Sequence, residues 1–270
     1  MSAAPWVSQF CLDRTPFRKG VAADDLFARS SHQEAIARIN FCIDEYGLGV
    51  LTGEVGVGKT VALRAALTGL DPTRHKVIYV ANPRVGTFGL YITIVRALGG
   101  TPRPWRVDLI AQMAELLASE RRAGHRVILI IDEAHLLEPA QLEELRLMTN
   151  AEMDSSSPFV TLLVGLPSLS RRLRMGMFAT LDQRVATRYV IEPMDLAESS
   201  AYIAHHLALV GRTEPLIADD AIARLHRCAN GLARALNNAV IAALIAAAGE
   251  QKGLVDDASA KRAVAELTRE

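Results

Sequence analysis

Gly53-Glu54-Val55-Gly56-Val57-Gly58-Lys59-Thr60 follows the apolar run Leu48 to Thr52 and precedes a helical pattern from Val61 to Leu70. The spacing is GxxxxGK[ST], set between a strand and a helix as that motif requires. Glycines let successive backbone N–H groups curl around phosphate oxygens while the helix N-terminus faces the anion. Lys59 then reaches the outer phosphates of a nucleotide, and the Thr60 hydroxyl is a ligand for Mg²⁺. The expected nucleotide-contacting positions are therefore Gly53, Glu54, Val55, Gly56, Val57, Gly58, Lys59, Thr60 and Val61.

Outward from this loop, short apolar runs recur at Val77 to Ala81, Val127 to Ile131, Phe159 to Val164 and Tyr189 to Ile191, with amphipathic stretches between them. Continuous apolar runs of this length suit strands buried on both faces, so the pattern predicts a five-stranded parallel sheet between helices, an α/β core over residues 46–194. The run Val127 to Ile131 ends in Asp132-Glu133, carboxylates at a strand's carboxyl tip, where open α/β sheets bind ligands. Asp132 is expected to hold Mg²⁺, largely through water, and Glu133 to orient or deprotonate the water that attacks the γ-phosphate. His135 completes Asp-Glu-Ala-His and reads as a local hydrogen-bonding residue. After Asp195 the strand signal ends and four helices are expected, Leu196 to Val210, Asp219 to Cys228, Arg234 to Gly249 and Asp256 to Thr268, forming a helical lid domain over 195–270. Residues 1–45 read as an N-terminal segment with a helix from Ser31 to Tyr46.

The ordered set Arg14-Thr15-Pro16-Phe17, Ser31-His32-Gln33-Glu34-Ala35, Leu51 to Thr60, Leu129 to Ala134, Leu145 to Asn150, Leu163-Val164-Gly165 and Leu181-Asp182-Gln183-Arg184-Val185 resembles the AAA+ ATPases. Within them it resembles the ExeA (GspA)-like family and its transposition relatives TniB and TnsC. The resemblance implies ATP and Mg²⁺ as cofactors and an active site between subunits, where a neighbour's arginine stabilises transition-state charge. Arg184 is the first candidate for that arginine and Arg188 the second; an ordinary ion pair is the competing use of each. Arg234, in Gly231-Leu232-Ala233-Arg234, resembles the lid arginine that senses the γ-phosphate. The chain departs from the pattern after Gly165, where Leu166 and Pro167 replace the expected polar sensor, with Thr161 or Ser168 as substitutes. Asn82 is a candidate restraint on Glu133, or simply a turn former.

Composition narrows the function classes. The chain has 270 residues, 50% hydrophobic, enough for a real core. Thirty basic and thirty acidic residues cancel, so a polyanion partner must be met by a local patch. Such a patch lies between Arg74 and Arg106, which holds Arg74, Lys76, Arg84, Arg96, Arg103 and Arg106 and no acidic residue. In AAA+ assemblies the loops here face a central channel, and the transposition relatives contact DNA from them. Arg84, Arg103 and Arg106, the last two around Trp105, are the expected contacts to a duplex DNA backbone, sequence-independent and salt-sensitive; the competing reading is a solvated basic face with Trp105 in the core. Arg171, Arg172 and Arg174 form a second cluster suited to a subunit interface.

Cys11, Cys42 and Cys228 show no disulfide or zinc spacing, and the near-apolar stretch Ala239 to Ala248 is short of the about 20 residues a bilayer span needs, so no membrane insertion and a cytoplasmic location are expected. The function expected is an ATPase that forms a homo-oligomeric ring or helical filament on duplex DNA and recruits or activates a transposase. The alternatives are an ExeA-like secretion-assembly ATPase working with a membrane partner, or a nucleotide-gated switch with little turnover.

Overall fold

The computed structural model describes residues 5–18, 25–150 and 157–268. The chain divides into two compact units, Ser31–Gly53 with Lys59–Ile191, and Met1–Ser30 with Glu54–Gly58 and Glu192–Glu270.

The first unit is a sheet of five parallel strands: β1 (Leu48–Gly53), β2 (His75–Val80), β3 (Arg126–Ile131), β4 (Val160–Gly165) and β5 (Val185–Ile191), in the order β2-β3-β4-β1-β5. Helix α1 (Pro5–Gln9) belongs to the other unit, and α2 (Ser30–Asp44) leads into β1. The crossovers carry α3 (Lys59–Thr68), α4 (Gly86–Ala97), α5 (Arg106–Arg122), α6 (Pro139–Met148), α7 (Pro167–Leu173) and α8 (Ala179–Gln183). Every residue of β1 and β4 is buried, as is β3 from Val127 onward, which is why these strands read as largely apolar runs without alternation. The edge strands differ. In β2, Ile78 and Val80 are buried while Val77 and Tyr79 face outward. Strand β5 begins at Val185, four residues before the expected start at Tyr189, because an edge position tolerates the polar Thr187 and Arg188 that interrupt its apolar run.

Register sets up the site. Thr52 pairs with Gly165, and Ile131 with Leu163, so β1, β4 and β3 end along one margin of the sheet. At about 4.8 Å per strand, the tips of β1 and β3 stand about 10 Å apart.

The second unit is helical: α9 (Leu196–Ala208), α10 (Asp219–Ala229), α11 (Ala233–Gly249) and α12 (Asp257–Leu267). Its core joins Ile203, Leu207, Leu225, Leu236, Val240 and Leu244 to Val7 and Phe10 at the start of the chain. Acidic caps start two of these helices: Asp195 accepts from the Glu198 N–H at 2.7 Å, and Asp256 from the Ser259 N–H at 2.9 Å. Between α10 and α11, Gly231 has φ +69°, and a Cβ there would lie 2.1 Å from the Met194 carbonyl oxygen. Only glycine lets the Met194 N–H donate to the Gly231 carbonyl at 2.9 Å, which fixes the entry into α11. Among the described residues no helix is long and apolar enough to cross a membrane. The three cysteines are free, and burial pushes the Cys42 thiol up to about 12.

Candidate nucleotide site

The glycine loop leaves β1 at Gly53 and enters α3 at Lys59. Gly56 has φ +80°, a conformation that exposes backbone N–H groups and that side chains with a Cβ resist. Its carbonyl accepts the Arg234 N–H at 3.1 Å, and the space a Cβ would fill is taken by the Arg234 Cβ, 2.7 Å away. The first turn of α11 is thus built onto the loop backbone. Lys59 Nζ donates to the Gly53 carbonyl at 2.8 Å, which ties the ammonium to the first residue of the motif.

At the tip of β3 the Asp132 N–H continues the ladder to the Val80 carbonyl at 3.0 Å. Glu133 then turns into the left-handed region, φ +50°, and its N–H donates to Asp132 Oδ1 at 2.8 Å. The other oxygen, Oδ2, accepts the Tyr79 hydroxyl at 2.5 Å. Desolvation, followed by the hydrogen bond to Asp132 and its charge, pushes the Tyr79 phenol up to about 12, so it remains a donor at neutral pH. The Glu133 side chain is exposed, with Oε2 3.4 Å from His135 Nδ1. Residues Ala134–Leu136 form a single 3-10 turn, and Arg172 on α7 donates to the carbonyls of His135 and Leu137, which clamps that turn from behind. The Asp132 carboxylate and the Thr60 hydroxyl are hard oxygen donors, the kind Mg²⁺ takes alongside water and phosphate oxygens.

A parallel sheet in this order, with a glycine loop after β1 and paired carboxylates after β3, decides the fold. It is the AAA+ P-loop fold. Residues 43–173 match a family model described as AAA domain. General secretion pathway protein A of Aeromonas hydrophila is 33% identical over 244 residues, which cover 88% of this chain and 44% of that protein. The chain therefore spans less than half the length of this relative. The chain is thus similar to an AAA domain over residues 43–173 and to this secretion-pathway protein over most of its own length. Among solved structures, Cdc6p from Pyrobaculum aerophilum superposes with a TM-score of 0.64 at 17% identity, covering 92% of this chain and 68% of that one. The Aeropyrum pernix Orc1 protein in complex with DNA gives 0.64 at 16% identity, with 92% and 68% covered. The Thermotoga maritima RuvB Holliday junction branch migration motor gives 0.60 at 16%, with 92% and 72% covered.

Within this AAA+ frame the other predicted residues fall into place unevenly. Arg184, at the end of α8, points its guanidinium at the C-terminus of α6, with Nη1 3.5 Å from the Arg146 carbonyl and 3.3 Å from Thr149 Oγ1. Arg188 is held by Asp182 Oδ1 at 2.5 Å. The Arg234 side chain is exposed, without a hydrogen bond or ion pair among the described residues. Asn82 spends its side-chain oxygen on the Arg84 N–H at 3.0 Å, the turn-forming use. Thr161 is buried at the opposite end of β4, paired with Leu48, so it cannot replace a sensor at the carboxyl margin; Ser168 is exposed on α7. Leu166 and Pro167 are explained locally as the N-cap and first residue of α7, where proline is well suited.

The cationic stretch is similarly divided. Arg84 and Arg103 are exposed, and among the described residues neither guanidinium is in a hydrogen bond or ion pair. Arg106 is engaged: Nη2 lies 2.6 Å from Oε2 of the buried Glu144, whose Oε1 accepts the Tyr91 hydroxyl. Trp105 is 73% exposed rather than in the core, with Val107 79% exposed beside it. Gln112 staples the loop that presents it, accepting the Arg103 N–H at 3.0 Å and donating to the Thr101 carbonyl at 2.8 Å. A hollow of about 730 Å³ between α5 and α6, walled by Ile110, Met113, Leu117, Leu147 and Met148, contains none of the phosphate-loop or carboxylate residues. Sequence reasoning missed Tyr79, whose only signal was its phase in β2, and the clamping role of Arg172, which lies within the arginine cluster expected at a subunit interface. The Gln141 amide, which donates to the Pro83 carbonyl at 2.7 Å and braces the Arg84 turn, gave no signal.

Proposed function

We propose that the chain is an ATPase that binds ATP with Mg²⁺, assembles into a homo-oligomer and acts on duplex DNA as a regulator of transposition, recruiting or activating a transposase. The observation that supports the ATPase part is that β1, which ends at Gly53 where the glycine motif starts, and β3, which runs into Asp132-Glu133, end on one sheet margin with their tips about 10 Å apart. Lys59 and the loop amides hold the outer phosphates, while Thr60 and Asp132 hold the ion, which when bound neutralises charge on the phosphate oxygens. Glu133 takes the proton of the attacking water. Arg184 of a neighbouring copy is the first candidate to meet the developing charge, and Arg188, which would have to leave the Asp182 carboxylate at 2.5 Å, is the second. Arg234 of the helical unit reports the γ-phosphate.

Support for DNA is the acid-free stretch with Arg84 and Arg103 exposed and Trp105, two residues after Arg103, exposed as well. Such contacts bind phosphate without sequence preference. The test is salt-dependent retention of duplex DNA with a non-hydrolysable ATP analogue: wild type is retained at low salt, and Arg84→Ala with Arg103→Ala weakens retention at least tenfold. Indifference to both substitutions removes DNA from the proposal. A second reading, secretion assembly with a membrane partner, is favoured by the 33% identity to General secretion pathway protein A. It predicts oligomers that form with nucleotide regardless of DNA. Glu133→Gln separates both from a switch of negligible turnover, since only a hydrolytic machine becomes trapped with ATP by that change.

A further inference from the structure

We infer that Tyr79 is a positioning residue for the magnesium-binding carboxylate of Asp132, an inference that rests on the ATPase reading above. Strand geometry supplies the reach. Tyr79 is in register with Ile130, and in a parallel pair residues in register share a face of the sheet. Asp132 lies two residues beyond Ile130 and so follows on that same face, about 6.6 Å further along the strand direction. A phenol is long enough to span that step, and its hydroxyl meets Asp132 Oδ2 at 2.5 Å. Serine or threonine at this position would fall short.

The contact is not a by-product of core packing. Strand β2 is the sheet's edge, and Tyr79 is 46% exposed rather than packed in the core, yet its hydroxyl is paired with the carboxylate. Two donors, one from β2 and one from the turn after β3, therefore fix the Asp132 carboxylate: the Tyr79 hydroxyl on Oδ2 and the Glu133 N–H on Oδ1. A carboxylate has about four acceptor sites, so each oxygen keeps a lone pair to offer the ion or its water shell. With both oxygens pinned, the carboxylate plane cannot rotate, and the remaining lone pairs point in set directions. Without Tyr79, Oδ2 would be free to turn toward solvent. Outer-shell partners of this type typically contribute 10–100-fold to metal affinity.

The experiment compares wild type, Tyr79→Phe and, as a lost-ligand reference, Asp132→Asn, with Tyr79→Leu as a second hydroxyl-free variant should Phe disturb the edge. Mn²⁺ is the probe, titrated by electron paramagnetic resonance against protein saturated with ATPγS, and ATPγS affinity in EDTA is measured in parallel. The expected result is about tenfold weaker Mn²⁺ binding in Tyr79→Phe with ATPγS affinity in EDTA unchanged. In turnover, the half-saturating Mg²⁺ concentration rises by a similar factor while the rate at saturating Mg²⁺ stays within about twofold, a split that general destabilisation would not produce. Mn²⁺ binding equal to wild type in both hydroxyl-free variants overturns the inference and leaves the ATPase reading standing. Failure of the wild type to bind ATPγS under any condition overturns the ATPase reading itself and this inference with it.

Discussion

Replacing Gly56 by alanine tests whether the loop is built as described. The backbone there has φ +80°, and a left-handed conformation costs a residue with a Cβ about 1–2 kcal/mol. The new Cβ would also stand 2.7 Å from the Arg234 Cβ, whereas carbon atoms rest about 3.5–4 Å apart, so the two segments must separate by about 1 Å. That separation stretches the 3.1 Å bond from the Arg234 N–H to the Gly56 carbonyl, a net loss of about 1 kcal/mol. The sum is about 2–3 kcal/mol concentrated at the loop. If nucleotide binding must restore the loop, affinity falls about 30- to 150-fold, since each 1.4 kcal/mol is a factor of ten. Titration of the protein into a fluorescent ATP analogue measures this, with thermal unfolding as the control for the rest of the chain. Affinity within about threefold of wild type would refute the reasoning, because the loop would then not need the conformation that only glycine adopts freely.

Three further outcomes follow from particular contacts. Gly231→Ala places a Cβ 2.1 Å from the Met194 carbonyl and breaks the 2.9 Å bond between these residues, so unfolding by calorimetry should shift down by at least about 6 °C, the equivalent of about 3 kcal/mol. His206 is held down at about 4, chiefly by burial and then by the neighbouring His205. It is neutral in the fold while the unfolded chain protonates near 6.5, so its contribution is complete above about pH 6.5 and is lost as pH falls toward 4, up to roughly 3 kcal/mol, and His206→Gln should flatten that part of the stability profile measured by urea unfolding. Arg106→Ala leaves the buried Glu144, among the described residues, with the Tyr91 hydroxyl as its side-chain partner, so stability should drop by about 1–3 kcal/mol in the same urea assay while DNA retention changes less than in Arg103→Ala.

Much of the architecture was legible because buried parallel strands leave an unmistakable trace. Leu48 to Thr52, Val127 to Ile131 and Phe159 to Val164 are apolar apart from the buried Thr52 and Thr161, since both faces of β1, β3 and β4 are covered. The phosphate loop and Asp132-Glu133 were legible for a different reason: motif spacing carries their geometry directly. What stayed hidden depends on side chains meeting across long sequence separations. Arg184 and Arg188 read alike in sequence, yet one faces a helix C-terminus and the other a carboxylate. Arg103 and Arg106 flank the same tryptophan, but only Arg106 finds a buried acid, on a helix 38 residues away. Trp105 was as compatible with a core as with a surface, and the Gln112 staple that decides the matter is a pair of bonds that no periodicity encodes. Tyr79 looked like ordinary strand filler because the strand that carries it happens to be the edge.

Calorimetric titration of ATP in the presence of Mg²⁺, for wild type and Lys59→Ala, addresses the central claim most directly, because both the loop and the carboxylates are assigned to one ligand. The account predicts saturable binding by the wild type that weakens at least a hundredfold in Lys59→Ala and loses its dependence on Mg²⁺ in Asp132→Asn. Binding by Lys59→Ala at wild-type strength, or none by the wild type, would contradict it.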